Sequence, residues 1–138
     1  MRSDPSPGGL PLEECWNLLR RSSVGRLALS ARALPVILPV QHHVEGRTIV
    51  MCVGSGLPFD PVVHDVVAAF SVESIDAARA TGWTVHVQGM VRPLERPDRS
   101  DRCPLGSGLL IAMDPEVVTG WRVKLCPVGG LDPWTALN

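Results

Sequence analysis

The stretch TGWTVHVQGMVR, residues 81–92, alternates between apolar and polar side chains more clearly than any other part of the chain. On an extended backbone these side chains point to two opposite faces. One face carries Trp83, Val85, Val87 and Val91, and the other carries Thr84, His86, Gln88 and Arg92. A period of two over this length predicts a β-strand with one face in a core.

Strand-like segments recur on both sides of this stretch, at residues 24–30, 34–44, 47–53, 66–72, 109–113 and 117–125. In the second segment, Pro35 and Pro39 predict an edge or a bulge, because proline cannot donate to a ladder. The dipeptide Glu45-Gly46 predicts a tight turn, so the second and third segments form a hairpin. The apolar run at 66–72 predicts a strand buried on both faces.

Helical signals are few. Leu12, Trp16 and Leu19 recur at helical spacing, with acids in the first turn and arginines in the last, which predicts a short amphipathic helix over residues 12–21. A proline after Asp60 predicts one helical turn at residues 60–63. About six strands with few helices favour a mainly β protein, a small barrel.

The composition is that of a soluble domain. The 138 residues are 45% hydrophobic and 20% charged, with a formal net charge of −1, which gives no broad footprint for nucleic acid or membrane. No apolar run is long enough to span a bilayer, and the start lacks a signal-peptide core, so we expect a cytoplasmic protein. Four cysteines without CxxC spacing are expected to be free thiols. We expect a flexible leader at 1–11, one domain at 12–125, and a tail at 126–138 that packs on the barrel or a partner subunit.

Three segments carry a family resemblance. ECWNLL with VGRLALS near the start, TGWTVHVQG in the middle and EVVTGWR near the end resemble, in order and spacing, the small bacterial members of the pyridoxamine 5′-phosphate oxidase-like flavin-binding split barrels. The resemblance implies a six-stranded split barrel that forms a homodimer. It further implies a small-molecule ligand, FMN or a deazaflavin, in a cleft shared by both subunits, and oxidoreductase activity in many members.

The family grips the flavin phosphate after the third strand with the pattern aromatic, Arg, Thr, two small residues, Gly, small, Lys. The matching stretch here is MCVGSGLPFD, residues 51–60. Cys52 stands where the Arg would be and Pro58 where the Lys would be, so both cations are missing. At about 1.5–3 kcal/mol for each charge-assisted hydrogen bond, their loss costs at least a hundredfold in affinity. Backbone N–H groups around Gly54 to Gly56 can still bind an anion weakly.

In the preceding strand the family commonly has Pro-Val-Asn-Tyr, whose backbone runs along the flavin ring. This chain has Pro39-Val40-Gln41-His42, which keeps the backbone and replaces the flat aromatic with His42. Trp83 is expected to pack in the core or dimer seam, with ring stacking as the alternative. The resemblance therefore assigns cofactor contacts to Pro39, Val40, Gln41, His42, Met51, Cys52, Val53, Ser55, Gly56 and Trp83.

Several of these features also have plainer interpretations. Without a following Lys-Ser or Lys-Thr, the segment Gly54 to Gly56 is a simple turn. His42 and His43 are adjacent on a strand, point to opposite faces and cannot bind one metal together. We therefore predict no metal site and regard the histidines as structural. No Ser-His-Asp order or carboxylate pair is recognisable, so no catalytic residue is assigned.

Two functions remain open, with a third less supported. The first is a flavin- or deazaflavin-dependent oxidoreductase, whose cofactor carries the chemistry and whose substrate the sequence does not reveal. The second is a non-catalytic split barrel that binds a ligand and has lost the usual FMN binding. Haem binding through a histidine is the third. The resemblance favours the first, and the missing cations favour the second.

Overall fold

The computed structural model describes residues 8–31, 33–54, 66–94 and 108–126. They form one helix, α1 (Leu12–Arg21), and six strands: β1 (Val24–Ala31), β2 (Leu34–Glu45), β3 (Thr48–Val53), β4 (Val66–Asp76), β5 (Thr81–Pro93) and β6 (Leu109–Lys124). All paired strands are antiparallel, and they close a barrel in the order β1-β2-β3-β6-β5-β4. The mainly β, six-stranded barrel with a short N-terminal helix is confirmed.

The core lies inside the barrel and under α1. In β5, Val85, Val87 and Val91 are fully buried while His86 and Gln88 are exposed, as the alternation predicts; Thr84, which the alternation predicts on the face of His86, is buried at 5% exposure. The helix has the predicted bounds and buries its apolar stripe, including Trp16, against the barrel. Period-two strands under an amphipathic helix thus give one continuous hydrophobic core.

The hairpin between β2 and β3 is also confirmed. Glu45 pairs with Thr48, so the loop consists of Gly46 and Arg47 alone. Gly46 has a φ of +62°, a conformation that glycine adopts without the steric cost of a Cβ. A two-residue loop with such a glycine first matches the twist of the flanking strands.

Two strand predictions are wrong. The segments at 109–113 and 117–125 are a single strand, β6, because a bulge takes up the interruption: Gln88 pairs with Val117 and Gly89 with Pro115, which leaves Glu116 as the extra residue. The run at 66–72 is buried on one face only. Val67 is 70% exposed on the outside of β4. The prediction failed because an apolar run in the sequence does not show whether a second layer covers the strand.

The segment just before α1 contacts β6. Gly9 bridges to Trp121, and Leu10 donates its N–H to the Gly120 carbonyl at 2.8 Å, so part of the predicted leader lies along β6. Most of the predicted tail and the turn predicted at 60–63 lie outside the described residues, and the domain boundaries and cytoplasmic location stay predictions. Cys15 and Cys126 are free thiols as expected, whereas Cys52 is disulfide-bonded, which corrects the expectation for that residue. The one helix in these ranges is too short to cross a membrane.

Candidate functional site

The barrel opens between β1 and β4. These strands pair only where Arg26 to Ala28 meet Ala69 to Ser71, whereas β4 continues along β5 as far as Asp76. The gap holds a cavity of about 630 Å³, within the range of roughly 300–1,000 Å³ typical of small-molecule sites. It is lined by Val24, Gly25, Arg26, Pro39, Ser71, Val72, Glu73 and Ile75. We call this cavity the split cleft.

Strand β2 runs beside the split cleft. Among the described residues, Leu34 to Val40 pair with β1, and pairing with β3 begins at Gln41. The N–H of His42 points to β1, where it donates to the Ser23 carbonyl at 2.9 Å. Since hydrogen-bonding groups alternate along a strand, the backbone groups of Pro39 point the other way, away from β1. The edge or bulge that Pro35 and Pro39 indicate stays a prediction.

Beside the split cleft, the outward-facing side chains of β1, β2 and β3 include one charged residue. Val24 and Arg26 of β1 face outward beside Gln41 and Pro39 of β2, and Gln41 in turn pairs with Cys52 of β3. In these rows only Arg26 is charged. Its Nε lies 3.7 Å from a carboxylate oxygen of Glu73 on β4, and both side chains are well exposed to solvent.

The structure brings together three of the ten predicted site residues on this outer surface. Pro39 and Gln41 are exposed there and Cys52 is half-buried beside them. The side chains of Val40, His42, Met51 and Val53 instead point into the barrel and are buried. Ser55 and Gly56 lie outside the described residues. The roles of all these residues as cofactor contacts stay predictions. For the four whose side chains point into the barrel, such contacts would be made by backbone atoms.

His42 has a structural environment. Its Nε2 forms a 3.0 Å hydrogen bond with the Leu19 carbonyl at the end of α1, and its ring packs edge-on against Phe70 at 4.9 Å. Burial lowers the pKa of His42, while the hydrogen bond to Leu19 opposes that shift. The neutral imidazole with its proton on Nε2 fits this arrangement, because Nε2 must donate to a carbonyl. The side chain therefore joins helix to barrel.

Trp83 lies apart from the split cleft. It is half-buried at a second cavity of about 380 Å³ beneath α1, which it shares with Glu14 and Arg122. His86 faces outward and packs on the Trp121 ring at 4.7 Å. In the described part of the chain, no three acidic, His or Cys side chains are grouped so as to hold a metal ion.

Sequence reasoning missed the β1 and β4 side of the split cleft. Arg26, Ser71, Glu73 and Ile75 come together only through the pairing of strands distant in the chain. Alternation along the first predicted strand does place Arg26 opposite to Leu27 and so on the outside. What it does not give is the strand next to β1.

Comparison of the chain with known proteins identifies its family. The family profile described as pyridoxamine 5′-phosphate oxidase matches residues 11–104. The chain belongs to the pyridoxamine 5′-phosphate oxidase family. A Mycobacterium tuberculosis protein, named only as uncharacterized, is 30% identical over an alignment of 127 positions that covers 83% of this chain and 84% of the relative.

Two solved structures have the same fold as this chain. The FAD binding protein from Mycobacterium smegmatis has a TM-score of 0.66 and 22% identity, over 84% of this chain and 97% of that one. The FAD and heme binding protein from the same organism has a TM-score of 0.65 and 16% identity, over 95% of this chain and 79% of that one. At these identities the likeness concerns the fold.

Proposed function

We propose that this member of the pyridoxamine 5′-phosphate oxidase family binds a flavin or deazaflavin in the split cleft beside β2, and acts as an oxidoreductase. One observation carries the proposal. Pro39, on the strand that the family uses along the flavin ring, lines a cavity of about 630 Å³.

The ring-binding part of the site fits a flavin. The bound cofactor would supply the hydride or electron transfer, and the protein would bind and orient it. Pro39, Val24 and Ile75 offer apolar walls for the ring. The two M. smegmatis proteins are named as FAD binding, which supports a phosphorylated flavin in this fold.

The phosphate-binding part fits less well at the position that the resemblance gives. The side chains of Met51 and Val53 are buried in the barrel, and Cys52 is disulfide-bonded. None of the three is a cation, so a phosphate there would depend on backbone N–H groups. This observation favours a second candidate, a ligand-binding protein without the usual FMN affinity or catalysis.

Absorbance and titration separate the two candidates. We expect the purified protein to show, as isolated or after addition of FMN, FAD or a deazaflavin, the shifted flavin band and quenched flavin fluorescence of a bound ring. We expect Val24→Glu, which puts a carboxylate into the split cleft, to weaken binding of every flavin. Leu125→Glu is the matched control, because Leu125 is similarly exposed at the far end of β6. A protein to which no flavin binds would exclude the oxidoreductase.

We also propose a homodimer with the ligand at the subunit interface. Val67 and Met90 are paired neighbours on the outside of β4 and β5, and both side chains are exposed. Ile37 on β2 is exposed as well, at 67%. Contiguous exposed apolar patches, unlike scattered single side chains, typically mark contact surfaces. Native mass spectrometry should give twice the chain mass, and Val67→Arg should shift the protein to monomer; a wild-type monomer would contradict the shared site.

A further inference from the structure

We propose that Arg26 is the cation that binds the phosphate of the flavin, in place of the two cations that the family has at the positions of Cys52 and Pro58. The inference rests on the proposed function and adds to it a residue that the family pattern does not assign. Three features of the structure support it: the position of Arg26 on the sheet, the weakness of its present contact, and the chemistry of its neighbours.

Arg26 lies on the same outer surface as Cys52, with β2 between them. Arg26 pairs directly with Pro39 of β2, and Gln41 pairs with Cys52 of β3. Two strand spacings, about 10 Å, separate β1 from β3 where β2 pairs with both. An arginine side chain and a phosphate group together can bridge that distance.

The guanidinium of Arg26 is held only loosely. Its contact with Glu73 measures 3.7 Å, and the side chains are 64% and 44% exposed. Ion pairs of this kind contribute little to stability, because water screens them and both side chains lose rotamer freedom. A phosphate with nearly two charges, held partly out of water, competes well with one exposed carboxylate.

The surroundings of Arg26 suit a phosphate ester. Its planar fork of N–H donors can contact two phosphate oxygens at once. Ser71 pairs with Arg26 across β1 and β4 and lines the same cavity, so its hydroxyl can donate to a third oxygen. Glu73 is the opposing group, since its carboxylate attracts Arg26 and repels the phosphate.

The test compares FMN with riboflavin, which has the same ring and no phosphate. For the wild type we expect FMN to bind more tightly than riboflavin. For Arg26→Gln we expect FMN affinity to fall by roughly tenfold to a hundredfold, with riboflavin affinity unchanged, because one charge-assisted contact is lost. Arg26→Lys should recover part of the difference, since lysine keeps the charge and lacks the fork.

Two further variants sharpen the result. Glu73→Gln should raise FMN affinity by up to about fivefold, because Arg26 loses its competing partner. Arg79→Gln is the matched control: Arg79 is also exposed and contacts a carboxylate, Asp76, at 3.8 Å, outside the split cleft. Its FMN affinity should stay within twofold of the wild type. Circular dichroism melting curves would show that each variant is folded.

The outcomes separate the two proposals. If the wild type binds FMN and Arg26→Gln keeps its preference for FMN over riboflavin, the role of Arg26 is wrong and the flavin site stands. If Arg26→Gln loses FMN and riboflavin equally, Arg26 supports the ring and not the phosphate, which also overturns the inference. If the wild type binds neither ligand, the proposed function fails and the inference fails with it.

Discussion

The inner and outer faces of the β1–β2 hairpin contact the rest of the protein in opposite ways. Where β2 passes under α1, the side chains of Trp16, Leu19 and His42 are buried and the helix closes the barrel. At the split cleft, β1 and β4 separate and the side chain of Val24 is 56% exposed. Stability is therefore concentrated under the helix, while the other side keeps exposed groups with which a ligand can interact.

The largest expected effect on stability is at the contact of α1 with the barrel. Leu19→Ala removes a side chain with 0% exposure from the contact of α1 with the barrel. It should lower the free energy of unfolding by about 2–5 kcal/mol, because the core loses apolar contact and keeps a cavity. Leu34→Ala is the matched control, since Leu34 is 69% exposed on β2 and should change stability by less than about 0.5 kcal/mol. Urea unfolding measures both, and equal losses would contradict the comparison.

A smaller loss is expected where β1 and β4 meet. A Cβ at Gly25 would overlap the Phe70 ring and lie 2.7 Å from the Ser71 carbonyl oxygen. Gly25→Ala should therefore cost about 1–3 kcal/mol, as overpacking does in cores. Gly54→Ala provides the control, because a Cβ there meets nothing within 4 Å. If Gly25→Ala unfolded at the same urea concentration as the wild type, the close approach of β1 to Phe70 would be wrong.

The pH dependence of stability should come partly from His42, which lies under α1. Burial lowers the pKa of His42 below its ordinary value of 6.5, so the unfolded chain takes up a proton first. Stability is then retained above about pH 6.5 and falls as the pH drops below it, by at most about 1.4 kcal/mol per pH unit for one proton. Burial also lowers the pKa of His86, which acts in the same direction.

Substitution isolates the contribution of His42. His42→Phe removes the titrating group and should flatten the fall in stability between pH 6.5 and 5, measured by urea unfolding at each pH. His43→Phe tests the opposite face of β2, where the ring is exposed and contacts Glu45 at 2.8 Å. A slope that stays unchanged in His42→Phe would show that the unfolded and folded chains protonate this histidine alike.

The smallest effect on stability is expected at the split cleft. Arg26→Gln breaks only an exposed ion pair with Glu73 and should change the free energy of unfolding by less than about 1 kcal/mol. The same variant should change FMN affinity strongly, so stability and binding respond to different residues. Thermal unfolding without ligand measures the first quantity. A large loss of stability in Arg26→Gln would remove the distinction between the region under α1 and the split cleft.

Patterns local in sequence predicted most of the elements. The alternation in β5, the bounds of α1 and the Glu45-Gly46 turn depend on residues close together, and all three were correct. The division of β6 into two strands was wrong because Pro115 looks like a break, whereas a bulge opposite Gly89 accommodates it. Proline signals a missing hydrogen bond, and only the partner strand decides whether the ladder tolerates the loss.

The candidate site was predictable on the side of β2 only. Pro39 and Gln41 were found through the family resemblance, and the structure places both on the outer surface beside the split cleft. Arg26 and Glu73 were not found, because they meet through the short contact of β1 with β4. The disulfide of Cys52 was missed for a similar reason: cysteine spacing does not show which thiols meet in space.

The position of β6 has a consequence for how the chain folds as it is made. This strand pairs with β3 along one edge and with β5 along the other, so it supplies both contacts that close the ring. Until Leu109 to Lys124 have left the ribosome, β3 and β5 each expose an open edge, which can pair wrongly with another chain. The hairpin of β1 and β2 needs no residue beyond Gln41 and can form early. Ring closure is thus a late event that depends on the last strand.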